Sequence, residues 1–112
     1  MTKYLISFPA AAMVITDADM PDVVADSHAV IREAKAAGVY VFGGGLDAAV
    51  AAVQVSADGT VSSETYPEVV PHGGYTVLEL PTPEDAVAWA AKLAAACRCA
   101  QDVRAFGFDA ES

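Results

Sequence analysis

The stretch GYTVLELPTPEDAVAWAAKLAAAC, Gly74 to Cys97, decides how this chain folds. Its first seven residues largely alternate apolar and polar, the period of a strand with one buried face. Pro81 ends the strand, and Thr82-Pro83-Glu84-Asp85 then has the chemistry of a helix start. It offers a hydroxyl to accept backbone N–H bonds, a proline in the first turn and an acid at the third position. Beyond it Ala86, Trp89, Ala90, Leu93 and Cys97 fall on one side of a helical wheel. A strand running straight into an amphipathic helix is half of an α+β layer.

Upstream, the pattern is the same. Lys3 to Phe8 is rich in β-formers and stops at Pro9, which has no N–H for a ladder. Ala10 to Asp19 reads as a loop. Asp19 as cap, Pro21 in the first turn and Asp22 at the positive dipole end predict a helix from there to about Ala37. Gly38 supplies the left-handed stop. Met20, Val23, Ser27, Val30, Ile31, Ala34 and Ala37 form its apolar stripe, with Asp22, Asp26 and Glu33 opposite. Val39 to Phe42 is a short apolar strand, after which Gly43-Gly44-Gly45 lets the backbone bend sharply or lie close to something else. Ala49 to Val55 and Val61 to Thr65 read as a hairpin about Ala57-Asp58-Gly59-Thr60. Tyr66 to His72, with Pro67 and Pro71, is an excursion, and Val103 to Phe108 a last strand.

The order β-α-β-β-β-α-β predicts a single α+β domain over residues 1–112: a ferredoxin-like sandwich, one antiparallel sheet with two helices on one face. The other face then meets water or a partner. Apolar residues pointing that way predict a homodimer formed by two sheets face to face, a dimeric α+β barrel arrangement.

Composition narrows the partners. Six Lys and Arg stand against 15 Asp and Glu, a net charge of -9, which argues against binding a polyanion such as nucleic acid. Ala and Val make up 39 of 112 residues, enough apolar content to argue against disorder. No uncharged apolar run has the ~20 residues of a membrane span. Tyr4 to Ile15 imitates a secretory leader, but one positive charge and Pro9 weaken that reading, so a cytoplasmic location is expected. Cys97 and Cys99 are too few and too close for a disulfide framework, and no histidine lies near them to complete a metal site. They read as unpaired structural thiols. The glycine run lacks the spacing and the strand-to-helix setting of a phosphate loop, so no nucleotide or other cofactor is expected.

Several landmarks in order resemble the YCII-related family, also called DGPF-domain proteins. They are Ala37-Gly38, Gly44-Gly45-Leu46, Asp58-Gly59, His72-Gly73-Gly74-Tyr75, Glu84-Asp85-Ala86 with Trp89-Ala90, and Asp102-Val103-Arg104. The resemblance implies a ferredoxin-like fold, a dimer and a cleft between the sheet and the partner. Most members have no established activity, and some resemble muconolactone-isomerase-like enzymes. The Asp-Gly-Pro-Phe motif itself is not retained: Ser62-Ser63-Glu64-Thr65 stands near its place, so this would be a divergent member.

Five residues are candidates for chemistry. His28 sits on the flank of the first helix beside Val24, Arg32 and Lys35, either as a partly solvated histidine or as a general base needing a carboxylate to orient it. The resemblance places a proposed acid–base histidine in the same helix. His72 follows a proline-containing loop, where binding residues gather. Glu64 is either a surface acid or the acid left near the lost motif. Tyr75 and Arg104 match family positions; Tyr75 packs or binds, and Arg104 pairs with Asp102 or Glu79 or holds a carboxylate in the cleft. Two ligand-directed functions follow, beside a third reading, an interaction or accessory module that only dimerises. One is a dimer that binds a small carboxylate or aromatic ligand; the other is a cofactor-independent isomerase or lyase using His28 or His72 on a small acidic or aromatic compound.

Overall fold

In the computed structural model residues 1–67 and 72–112 are described, His72 through its backbone only. Six strands and two helices follow in the order β1 Thr2–Pro9, α1 Met20–Ala36, β2 Tyr40–Gly45, β3 Gln54–Val55, β4 Val61–Ser62, β5 His72–Leu80, α2 Pro83–Cys97 and β6 Asp102–Ala105. Four strands make one sheet in the order β2-β5-β1-β6, and every neighbouring pair is antiparallel. Each helix therefore joins two strands with a third lying between them. Two such split β-α-β units interleave in the ferredoxin-like arrangement.

The helix ends follow from their sequences. Thr82 Oγ1 accepts the Asp85 N–H at 3.1 Å and starts α2 as expected. Gly38, at φ +75°, ends α1: its N–H reaches the Lys35 carbonyl and that of Val39 reaches Ala34, a Schellman motif. Asp19 departs from expectation. Its carboxylate accepts the Thr16 hydroxyl at 2.9 Å and gives no side-chain cap to α1, so the acid is spent on a turn just ahead of the helix. Arg98 ends α2 in the left-handed region, at φ 61°, which costs a non-glycine residue roughly 1–2 kcal/mol. Its guanidinium offsets this by donating to the carbonyls of Ala95 and Ala96, at 3.0 and 2.6 Å.

The core lies between the helices and one face of the sheet. Tyr4, Ile6, Leu78 and Leu80 pack there with Ala34 of α1 and Ala86, Ala90 and Leu93 of α2. Small helix residues let both helices approach the strands closely, while the strands supply the bulk. Each large side chain fully buried here contributes about 1.5–3 kcal/mol.

One alternative is settled and one expectation changes. Gly43 to Gly45 do not bend away; they continue β2, paired with Thr76, Tyr75 and Gly74 of β5. In the run the close approach is at Gly43, where a Cβ would stand 3.1 Å from the Tyr40 hydroxyl and the Tyr75 carbonyl oxygen. On β5 a Cβ on Gly73 would lie 2.4 Å from the Phe8 ring, which rests against the β5 glycines. The hairpin strands are shorter than read, two residues each, and form their own small sheet outside the main one. Its turn is the expected one, with Gly59 at φ +87° and Asp58 Oδ1 accepting the Thr60 N–H at 2.9 Å. The Thr60 hydrogen bonds hold the Asp58 carboxyl below its ordinary pKa. Part of the Tyr66–His72 excursion lies outside the described residues.

A candidate ligand cavity beneath the first helix

Strand alternation divides the site residues between the two faces of the sheet. Ile6, Phe8, Gly74 and Thr76 face the helices. Toward the end of β2 and β5 this face loses its side chains, because Gly43, Gly45, Gly73 and Gly74 carry none. α1 passes over the bare backbone, and a cavity of about 450 Å³ remains between them. That volume is within the usual range of small-molecule sites.

The roof is the flank of α1 that carries Met20, Val24, Ser27, His28, Ile31 and Lys35. Tyr40 closes one end, its hydroxyl reaching the Gly43 carbonyl at 3.5 Å, and the Lys35 ammonium stands 5.2 Å from the centre of its ring. Cys97 and Gln101 contribute from the far side. Burial pushes the Cys97 thiol up, with the neighbouring Cys99 adding to the effect, so it stays protonated. Cys99 is raised by burial too. Both cysteines are free, and at Cys97 burial outweighs the lowering effect of the neighbouring Arg98, so it lacks the character of a reactive thiolate.

Charge separates this lining from the rest of the molecule. Among the described residues no carboxylate lines the cavity, in a chain with 15 acids. Four of the six basic side chains are engaged by acids: Lys3 with Glu79, Lys92 with Glu33, Arg98 with Asp26, and Arg104 with Asp102. Lys35 and Arg32 have no such partner among the described residues, and only Lys35 lines the cavity. On α1 the acids Asp26 and Glu33 take one side of the helix and pair with α2; His28 and Lys35 take the other.

The five candidates do not converge. His28 and Tyr75 both border the cavity, Tyr75 from β5, where alternation turns its side chain to the opposite face of the sheet beside Ser7. Arg104 lies on that opposite face as well, 3.7 Å from Asp102, with 60% of its side chain exposed. It takes the ion-pair alternative. Glu64 is exposed beyond the hairpin, its backbone N–H donating to Ser62 Oγ at 3.0 Å. The side chain of His72 lies outside the described residues. No carboxylate pairs with His28 among the described residues, so the acid–base dyad that a catalytic histidine needs is not assembled there.

Sequence reasoning missed Lys35, Tyr40 and the glycine floor. A signal was present for the first: Lys35 is seven positions from His28, so both fall on one helix flank. The glycines gave none, because their meaning depends on Phe8, a residue of a different strand.

A second hollow, of about 760 Å³, lies on the open face between Val41, Val77, Glu79 and the C-terminal residues from Phe106. Of its charged side chains, Lys3 and Glu79 already pair at 3.7 Å, and Asp109 is the third. No helix in the described chain is long and apolar enough to cross a membrane. No family model matches the chain, and no curated protein matches it.

Proposed function

We propose that this chain is a cytoplasmic, YCII-related small-ligand-binding protein that works as a homodimer, with its ligand site beneath α1. The observation that carries this reading is the lining itself: apolar side chains and glycine backbone border about 450 Å³, with Lys35 at the rim and no ion-pair partner for it among the described residues. A hollow with that lining, a few polar groups and, among the described residues, no internal ion pair is suited to an organic ligand.

The dimer uses the open face of the sheet. Phe42 is 66% exposed and Phe106 48%, and Leu5 and Val77 lie between them. Lys3–Glu79 and Arg104–Asp102 balance the charge of that face, so two copies could meet there despite a net charge of -9 each.

The second reading is a cofactor-independent isomerase or lyase, with His28 moving a proton on a small acidic or aromatic compound in the same cavity. Among the described residues no carboxylate orients the imidazole, which favours binding over catalysis.

Thermal denaturation with a panel of small carboxylic acids and aromatic compounds tests the site. A true ligand at a hundred times its Kd stabilises by about 2.7 kcal/mol. Gly45→Val, whose side chain grows into the cavity, should abolish that stabilisation. Equal stabilisation of the variant, or none of the wild type by any compound, would count against the site.

A further inference from the structure

We infer that the cavity selects a flat organic monoanion, its acid group at Lys35 and its far end at His28. This rests on the cavity being a ligand site and states what kind of molecule that site takes.

Charge is the first ground. An acidic chain repels anions over its surface as a whole. Yet among the described residues the lining holds no carboxylate, and its one lysine has no ion-pair partner. The Tyr40 ring, 5.2 Å away, holds that ammonium at the rim without neutralising it. A ligand carboxylate there gains a charge-assisted hydrogen bond about twice as strong as a neutral one. A single such cation matches a single negative charge.

Length is the second. His28 and Lys35 are seven positions apart, about 10 Å along the helix axis and at nearly the same angle around it. They bracket one side of the cavity, so a molecule held by both is elongated and polar at each end.

Shape is the third. Gly45, in register with Gly74, brings backbone without a side chain to the side facing α1, bordered by the Phe8 ring that lies on Gly73 and Gly74. A Cβ built on Gly45 meets nothing closer than the Gly73 carbonyl oxygen at 3.7 Å, so the space above the floor is open. A planar ring can lie on this surface while Met20, Val24 and Ile31 cover its other side.

The test compares 4-hydroxybenzoate with 4-hydroxybenzamide, which share ring and length and differ in charge, by calorimetric titration of the full chain. The acid should bind at least tenfold more tightly than the amide, and Lys35→Met should remove about that factor from the acid alone. Arg32→Gln, a cation on α1 outside the cavity, should change neither. Gly45→Val should lose both compounds. Equal binding of acid and amide, or a Lys35→Met variant that keeps the preference, overturns the selection while leaving the cavity as a ligand site. If neither compound binds the wild type, the inference and the reading beneath it fail together.

Discussion

On the helix side of the sheet, Tyr4, Ile6, Leu78 and Leu80 disappear beneath α1 and α2, yet the same side ends in a hollow floored by glycine. On the other side Leu5, Phe42, Val77 and Phe106 carry full side chains, and among the described residues no helix covers them. One face has cover without side chains at its end; the other has side chains without cover. A void under cover suits a small molecule. An uncovered apolar surface suits a second protein surface.

The largest effect that tests this contrast is in the core. Leu78→Ala should cost about 2–5 kcal/mol in chemical denaturation, the range for emptying a buried leucine site. Its neighbour Val77, on the open face, should cost about 1 kcal/mol or less as Val77→Ala if that face stays wet. A larger cost, rising with protein concentration, would show the face covered by a second copy.

Next come the glycines. Gly73→Ala places a methyl 2.4 Å from the Phe8 ring and 3.1 Å from the Ala10 backbone, so a loss of about 1–3 kcal/mol is expected. Phe8→Leu in the same chain should recover part of it. Gly45→Ala meets nothing within 3.4 Å and adopts an ordinary strand conformation, so stability should hold within about 0.5 kcal/mol. Equal losses at the two positions would mean that the floor at Gly45 is not open.

Phe42→Lys should weaken self-association at least tenfold in sedimentation equilibrium, through loss of an apolar contact and repulsion between the added charges. A wild-type monomer at micromolar concentration would remove the open face from consideration as an interface.

The smallest effect concerns the thiols. Cys97 is buried and raised in pKa, so a thiol reagent should label Cys99 first and Cys97 only as the chain opens. The folded state favours the protonated thiol. Its contribution to stability is complete below the ordinary thiol range of about 8.5–9 and is lost as pH rises toward the raised value. Cys97→Ala should flatten that alkaline decline.

Elements whose signals are local were legible in the sequence. Thr82 and Gly38 announce helix ends within a few residues of where the hydrogen bonds form, and the strand–helix alternation carries the sheet order. The site was less legible. The glycine run reads as either a bend or a close approach because what decides between them, its pairing with Gly74 to Thr76, lies about 30 residues further along the chain. Arg104 drew attention as a strand cation, but only the register with Leu5 shows which face it occupies. His28 was readable as a flank residue; what it faces was not.

The ion pairs between the helices have a mechanical consequence. Asp26–Arg98 and Glu33–Lys92 fasten α1 to α2 along one side, opposite the cavity. Being exposed, they add little to stability. They do define an axis. If α1 moves to admit a ligand, the easiest motion is a roll about that line, like a lid on two pins, with the His28–Lys35 side travelling furthest.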